Sequence, residues 1–330
     1  MKSRGYGRWA AGLLAVLGLH MMLASAQAQV RYPDRTIQMI VPYAAGGTTD
    51  LAGRIVAKEL GERLGQSVVV ENRVGASGSL GVGQALRSPP DGYSMAVSGV
   101  SPTMLQHLLG RNLPYDPLKD LKAVGYLGSS GMVFITRKDS NFNTLRQVID
   151  AAKAKSGAIT FGSAGVTSPG HLAAEYLSSM ASIKMTHVPY AGDSALMVDL
   201  MSGRLDIASV GIASVFPMLE NGDVLGLGLT SRERLPTLPN LPTVAEAAGL
   251  PTYEADIWNL LVLPASTPAD IVNKLNTTVS QMMSEKKVQA SLLSLGFTGR
   301  PMSLTEIESF ITVERDKWGR VLREANIRID

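Results

Sequence analysis

The 330-residue sequence contains no cysteine, few aromatic residues and four histidines. The absence of cysteine excludes disulfides, iron–sulfur clusters, thiolate zinc sites, cysteine nucleophiles and a lipid-modified N-terminal cysteine. Aromatic residues make up 5% of the chain, too few for the stacking surfaces that bind single-stranded nucleic acid or sugars. No two histidines have the HxxxH spacing of a metal-binding pair. The sequence therefore predicts neither a metal site nor another cofactor.

The composition is that of a folded protein. Hydrophobic residues make up 45% of the chain and charged residues 18%. This apolar content is enough for a core and argues against extended disorder. The length allows one large domain or two of ordinary size.

Residues 1–28 have the pattern of a secretory signal peptide. A basic stretch precedes the apolar run Ala10–Ala24, which is shorter than the roughly 20 residues that a membrane-spanning helix needs. Small residues at Ala26 and Ala28 predict cleavage after Ala28, with Ala24-Ser25-Ala26 as an alternative site. A retained membrane anchor is the competing interpretation.

Cleavage changes the charge of the chain. It removes Lys2, Arg4 and Arg8 and no acidic residue, so the formal charge falls from +3 to zero. A neutral surface gives no reason to expect nucleic acid or an anionic membrane as a partner. The mature chain is expected to be a soluble exported protein, located in the periplasm of a bacterium.

Strands and helices alternate from Thr36 onward, which predicts an α/β fold with parallel strands. The predicted strands are 37–41, 67–71, 94–98, 159–162, 185–188, 207–210 and 225–230, with a longer apolar stretch at 124–136. Helices are predicted after Thr48 and at 103–109, 144–155, 171–180 and 195–201. The last third is expected to be mostly helical, at 269–283, 287–295 and 304–325.

Two segments have the composition of anion-binding loops. In Ala44–Asp50, small residues follow a strand and lead into a helix, whose free N–H groups favour an anion. Phe161–His171 has the same design, and Pro169 stands where proline is favoured at a helix start. The alternative for the first segment is an ordinary turn with Thr49 or Asp50 as a cap. For His171 it is a packed or capped histidine.

Other motifs carry less information. Asn72–Gly78 is either a third loop of the same site or a simple turn, and an internal salt bridge is the favoured interpretation of Arg73. His107 and His187 are interpreted as structural or surface residues. The chain lacks a GxSxG nucleophile elbow, a GxGxxG fingerprint and a phosphate-binding GxxxxGK[ST] loop, so an enzyme is not predicted.

Eight short motifs, in order along the chain, resemble those of one known family. The motifs are Tyr32-Pro33-Asp34-Arg35, the segment 42–50 (PYAAGGTTD), 71–76 (ENRVGA), 90–93 (PDGY), 115–120 (YDPLKD), 187–192 (HVPYAG), 203–206 (GRLD) and 241–247 (LPTVAEA). They resemble the substrate-binding proteins of tripartite tricarboxylate transporters, the TctC or Bug receptors.

The resemblance implies a two-lobed α/β periplasmic binding protein of type II that closes on a small carboxylate, as a Venus flytrap does. Lobe 1 is expected at 29–129 and 256–330 and lobe 2 at 130–255, joined by a hinge of two crossover segments. The implied ligand-binding residues are Tyr43, Ala45, Gly46, Thr48, Thr49 and Asp50 in the first lobe, and Ser163, Ala164, Gly165, Thr167, Ser168 and His171 in the second.

Two departures from the family pattern concern the ligand. Many members have an aspartate where this chain has Val210, and Trp-x-Gly-Leu where it has Trp258-Asn259-Leu260-Leu261. If Val210 faces the cleft, the ligand is expected to be a more apolar acid, such as an aromatic carboxylate.

The implied partners are membrane subunits of the transporter, or a sensor kinase in the alternative role of a ligand-sensing receptor. An exported hydrolase on the same scaffold is a further alternative. The family pattern implies a monomer.

Overall fold

The computed structural model describes residues 32–190, 192–325 and 327. The predicted signal peptide and Ala191 lie outside these residues. Ten strands form two sheets of five. They are β1 (Ile37–Val41), β2 (Val68–Asn72), β3 (Ser94–Gly99), β4 (Leu121–Ser130), β5 (Met132–Arg137), β6 (Thr160–Ser163), β7 (Thr186–Pro189), β8 (Ile207–Gly211), β9 (Val224–Leu229) and β10 (Ile257–Pro264).

Eleven α-helices connect these strands within the described residues. They are α1 (Thr48–Leu64), α2 (Ser79–Leu86), α3 (Gln106–Leu108), α4 (Leu145–Ala154), α5 (Pro169–Ala181), α6 (Asp193–Met201), α7 (Ile212–Asn221), α8 (Val244–Ala248), α9 (Ala269–Ser284), α10 (Lys286–Leu293) and α11 (Leu304–Glu324). A π-helical turn, Ser101–Leu105, leads into α3. No helix among the described residues is both long enough and apolar enough to cross a bilayer.

The two sheets have the same topology. The first has the order β2–β1–β3–β10–β4 and the second β7–β6–β8–β5–β9. In each sheet four strands run in the same direction, and the strand at the fourth position is antiparallel to its two neighbours. The α/β fold class is thus confirmed.

The register brings equivalent strand ends to the crossing between the sheets. β4 is parallel to β3, since both are antiparallel to β10, so it ends at the edge where β1, β2 and β3 end. Only Gly131 separates the end of β4 from the start of β5, whose first residue, Met132, pairs with Gly211 at the end of β8. The loops after β1–β3 and after β6–β8 therefore lie at edges that share this crossing.

A small cavity of about 20 Å³ lies at the crossing. Val100 and Leu105, which follow β3, line it together with Pro169 and Leu172 of α5. The start of α5 thus lies against residues of the first sheet's edge. This contact joins the two regions in which anion-binding loops are predicted.

Local sequence signals explain where several helices begin and end. α1 ends at Gly65, which adopts the left-handed conformation (φ 71°) that glycine tolerates. α4 and α11 begin with complete capping boxes, Thr144 with Gln147 and Ser303 with Glu306. Each box satisfies N–H groups that the helix itself cannot pair.

Most predicted strands are confirmed, but the interpretation of the last third as mostly helical is wrong at β10. This strand lies in the middle of the first sheet, and seven of its eight residues are buried. A strand buried on both faces has no alternation of polar and apolar residues, so its periodicity does not identify it. α2, α7 and α8 were also not predicted.

Candidate functional site

The loop between β1 and α1, Pro42–Gly47, is defined here as the first loop. Residues 44–48 are exposed, and Gly46 adopts a left-handed conformation (φ 80°). Gly47 is the N-cap residue of α1 and supplies no side-chain cap. The first N–H groups of α1 are therefore available to a ligand, and the partial positive charge of the helix N-terminus favours an anion.

The buried carboxylate of Asp50 holds the first loop in place through hydrogen bonds. Its carboxylate is 1% exposed and accepts hydrogen bonds from the Gly46 N–H (2.8 Å), Arg54 Nε (3.0 Å) and Asn72 Nδ2 (2.8 Å). Burial raises the pKa of Asp50, but the hydrogen bonds from Arg54, Asn72 and Gly46 and the charge of Arg54 outweigh it and leave the pKa below 3.8. Asp50 is neither a helix cap nor an exposed contact, so the capping interpretation is wrong.

Asn72 and Tyr43 complete the first-lobe side of the site. Asn72 Nδ2 also donates to the Tyr43 carbonyl oxygen (3.0 Å), which ties the end of β2 to the first loop. Burial, as the main cause, and the electrostatic interaction with Tyr115, as the smaller one, raise the pKa of Tyr43 to about 12. Its hydroxyl therefore stays protonated at neutral pH. Arg73 pairs with Glu71, and its interpretation as an internal salt bridge is confirmed.

Asn259 was not predicted as a site residue. It is 2% exposed, and its Nδ2 has no hydrogen-bond partner among the described residues. Its Oδ1 and the Tyr43 hydroxyl each lie 3.3 Å from the point where a side chain on Gly99 would begin. A buried donor without a partner carries a free-energy cost, which makes Asn259 a candidate for binding a ligand group or a water molecule.

The loop between β6 and α5, Ala164–Ser168, is defined here as the second loop. Ala164 and Val166 are exposed, and Gly165 (φ 121°) and Thr167 (φ 62°) have positive φ. Ser168 Oγ accepts the His171 N–H (3.3 Å) and caps α5, and Pro169 occupies its first turn as predicted.

Ser163 lies beneath the second loop and has no exposed surface. Its hydroxyl contacts His187 Nε2 (2.8 Å), the Gly165 carbonyl oxygen (3.1 Å) and Ser168 Oγ (3.2 Å). These contacts hold the loop, so the Ser163 side chain supports the site instead of facing a ligand.

Two histidines pack beside Ser163. The rings of His171 and His187 are stacked with their centroids 3.9 Å apart, and Phe161 stacks on His187 at 4.8 Å. Burial, followed by the charge of a protonated His171, lowers the pKa of His187 to about 4. The interpretation of His187 as a structural residue is confirmed, since it packs against Phe161 and His171 and contacts Ser163 beneath the second loop.

A serine next to a histidine invites comparison with a nucleophile and its base. A catalytic pair also needs an accessible serine and a third group that orients the histidine. Ser163 is fully buried, and among the described residues no carboxylate hydrogen-bonds to His187. This geometry does not favour nucleophilic catalysis.

Val210 does not face the site. It has no exposed surface and packs in the apolar core of the second sheet with Val133, Leu196 and Leu229. The prediction that Val210 lies in the cleft is wrong, and the inference of an apolar ligand is withdrawn with it. β8 is a central strand covered on both faces, so position along the motif did not indicate which face Val210 occupies.

Asp256 lies where the chain returns from the second sheet to the first. It is 8% exposed, and its carboxylate accepts hydrogen bonds from Ser129 Oγ (3.1 Å), Thr230 Oγ1 (3.2 Å) and Ser231 Oγ (2.9 Å). These donors come from the end of β4 and from the segment that follows β9. Burial raises the pKa of Asp256 to about 6, and the hydrogen bond from the Ser231 hydroxyl offsets only part of this increase.

The chain matches a family profile described as "Tripartite tricarboxylate transporter family receptor" over residues 52–327. It is 31% identical to the protein BugT of Bordetella pertussis over 321 residues, covering 96% of this chain and 98% of BugT. This relationship extends over almost the whole length of both proteins.

Two solved structures with bound carboxylates have the same fold. One is R. palustris Rpa4515 with adipate, with a TM-score of 0.75, 30% identity, and coverage of 90% of this chain and 99% of that one. The other is MatC from Rhodopseudomonas palustris with bound malate, with a TM-score of 0.70, 28% identity, and coverage of 88% and 100%. With the profile match over most of its length, the chain belongs to the tripartite tricarboxylate transporter receptor (TctC) family, whose members are periplasmic solute-binding receptors.

Proposed function

We propose that this protein captures a small carboxylate between the first and second loops and delivers it to a tripartite tricarboxylate-type membrane transporter. The observation that carries the proposal is the uncapped N-terminus of α1 behind an exposed loop of small residues. Such a terminus is an anion-binding element, and a carboxylate is the ligand named for two proteins of the same fold. Export to the periplasm after cleavage at Ala28 is part of the proposal.

The proposed mechanism is closure of two lobes over the ligand. Lobe 1, at 29–129 and 256–330, contains the first sheet, and lobe 2, at 130–255, contains the second. The proposed hinge consists of the two crossings, near Gly128–Gly131 and near Ala255–Trp258. Burial of the ligand strengthens its hydrogen bonds to the helix N-terminus, because water no longer competes for the same groups.

Ligand capture is tested by thermal denaturation and calorimetry of the mature protein. The panel contains mono-, di- and tricarboxylates and aromatic acids, with adipate and malate included. A ligand at 100 times its Kd stabilises the native state by about 2.7 kcal/mol, which raises the melting temperature by several degrees. Turnover is followed by mass spectrometry in the same samples. Binding without product supports a receptor, whereas product formation would support the exported hydrolase.

A single substitution tests the position of the anion. Gly47→Asp places a carboxylate at the N-cap of α1, where it competes with the ligand for the same N–H groups. We expect the affinity to fall at least tenfold, with no loss of melting temperature because the new side chain caps the helix. Gly47→Ala is the matched control, since it adds a Cβ 3.3 Å from the Ala44 carbonyl oxygen without a charge. Equal losses in both variants would count against binding at this terminus.

Transport and sensing are distinguished by the partner. A transport role requires the closed, ligand-loaded protein to bind membrane subunits, which a pull-down with and without ligand measures. Binding to a sensor kinase domain instead would favour the alternative role of a ligand-sensing receptor.

A further inference from the structure

Hydrogen bonds to the imidazole rings of His171 and His187 hold the second loop in place. The Thr167 N–H donates to His171 Nδ1 at 3.0 Å, although Thr167 has the left-handed conformation that residues with a Cβ rarely adopt. Since N–H groups only donate, His171 Nδ1 must be the acceptor and carries no proton. This contact compensates for the unfavourable backbone conformation at Thr167.

The tautomer of His171 follows from this bond. With Nδ1 unprotonated, the neutral ring carries its proton on Nε2, which lies 3.6 Å from Glu175 Oε1. A second proton on His171 would have to go onto Nδ1. The hydrogen bond that holds Thr167 would then be replaced by two donors facing each other.

His187 supplies the other half of the support. Its Nε2 contacts Ser163 Oγ, and that hydroxyl in turn reaches both Gly165 and Ser168 of the second loop. Because the two rings stack at 3.9 Å, a positive charge on one opposes a positive charge on the other. The pair is therefore compatible with the observed contacts only when the His171 ring is neutral.

The charged groups around the pair are few. Glu175 faces His171 from α5 itself, and the residues of β6 that contact the rings, Phe161 and Ser163, are uncharged. β8, which packs on α5, has no ionisable side chain. From α11, Lys317 and Glu324 reach α5 at Tyr176 and Ser179. Glu175 is thus the one negative charge in direct reach of the pair among the described residues.

We propose that His171 and His187 are positioning residues that hold the second loop in its binding conformation only while His171 is unprotonated, so that protonation of His171 releases the ligand. This inference rests on the proposed carboxylate site. It adds a specific positioning role for two residues beneath the second loop, and it makes carboxylate affinity depend on pH through the loop.

The test compares wild type with His171→Asn across pH 8 to 5. The Asn side chain offers an acceptor at the position of Nδ1 that does not titrate. We expect wild-type affinity to fall towards acid, by up to about tenfold per pH unit for one linked proton. His171→Asn is expected to lose most of this dependence, whatever its affinity at pH 8. Comparing variants at equal pH cancels ionisation of the ligand itself.

Two further variants sharpen the comparison. His171→Leu removes the acceptor and is expected to weaken binding at least about tenfold at every pH, as expected when a buried donor is left unpaired. His187→Gln keeps a polar atom near the position of Nε2 and is expected to bind more tightly than His187→Leu. If His171→Asn kept the full acid dependence of wild type, the inference would be overturned.

A measurement without ligand separates this inference from the proposed function. Nitrogen NMR of the ligand-free protein at pH 8 is expected to show His171 protonated on Nε2 and not on Nδ1. The opposite tautomer would overturn the inference even if carboxylates bind. If the wild-type protein binds no carboxylate, the proposed function fails, while the tautomer and its loss in acid still decide how the loop is held.

Discussion

The first and second loops have the same position in two sheets of the same topology, but they are held by different chemistry. The first loop is tied to a buried carboxylate, Asp50, which is ionised and paired with Arg54. The second is tied to hydroxyls and to the neutral ring of His171. The comparison teaches that one strand–loop–helix design can be held by a charged group on one side of a site and by neutral groups on the other, and that the two sides then respond to acid in different pH ranges.

The pH ranges of the two braces differ. The pKa of Asp50 is lowered, so its contribution to stability is fully present above 3.8 and is lost only as the pH falls through its lower folded value. The pKa of His187 falls from 6.5 to about 4 on folding, so protons favour the unfolded chain between those values and the second lobe loses stability as the pH falls through that range. At pH 5 the contribution of Asp50 to the free energy of unfolding is therefore expected to be intact, whereas protonation of His187 in the unfolded chain already lowers the stability of the folded protein.

The largest effect is expected from Asp50→Ala, which breaks the charged brace. It leaves the Gly46 N–H, Asn72 Nδ2 and Arg54 without their acceptor. We expect a loss of about 3 kcal/mol in the free energy of unfolding, measured by urea denaturation, together with weaker carboxylate binding. Asp50→Asn is the matched control, because it keeps the shape and one acceptor. An unchanged unfolding free energy in Asp50→Ala would contradict the role of the brace.

A smaller effect of opposite sign is expected from Asp256→Asn at the crossing. The folded pKa of about 6 lies above 3.8, so the folded protein holds the proton more tightly and loses stability as the pH rises through this range. A pKa raised that far corresponds to about 3 kcal/mol of destabilisation of the folded protein by the ionised Asp256 carboxylate. Since the new amide also needs an acceptor, we expect a gain of about 1–2 kcal/mol at pH 7.5 and none at pH 4.

This variant sharpens the comparison because the Asp256 and His187 effects oppose each other between pH 4 and 6. Denaturation of Asp256→Asn is expected to show the acid loss of the second lobe without the compensating gain. A variant less stable than wild type at pH 7.5 would show that the three hydroxyl hydrogen bonds outweigh the cost of the buried charge.

The smallest effect is expected from Ser168→Ala on the neutral side. It removes the cap of α5 and the contact with Ser163, at a cost of about 1 kcal/mol. Thr144→Ala removes the cap of α4 and serves as the control for stability. Both variants are expected to lower the melting temperature similarly, whereas only Ser168→Ala is expected to weaken ligand binding. Equal affinity in the two variants would show that Ser168 is merely a cap.

Sequence reasoning located both loops because their signals are local. A strand followed by small residues and a helix start is recognisable at 37–50 and at 159–171 without knowledge of contacts. The segments 41–46 (VPYAAG) and 188–192 (VPYAG) are similar in sequence, but they begin at the ends of β1 and β7, which are not equivalent in the two sheets. The equivalent of β1 is β6, and its loop has a different sequence.

Residue roles within the loops were harder to predict. Asp50 was recognised as important, but its burial depends on Asn72 and Arg54. His187 and Asn259 gave no signal because their partners are distant in the sequence. Val210 was assigned to the wrong environment for the same reason, since an apolar residue in a strand is compatible with either face of a sheet.

The sequence by itself determined the alternation of strands and helices, the two small-residue loops and the proline that opens α5, because each depends on backbone preferences and hydrophobic periodicity within a few residues. Only the tertiary structure decided that β10 completes the first sheet, that Asp50 and Ser163 lie beneath their loops, and that His171 stacks on His187. These features depend on contacts between segments far apart in the chain, and burial and pKa are properties of those contacts.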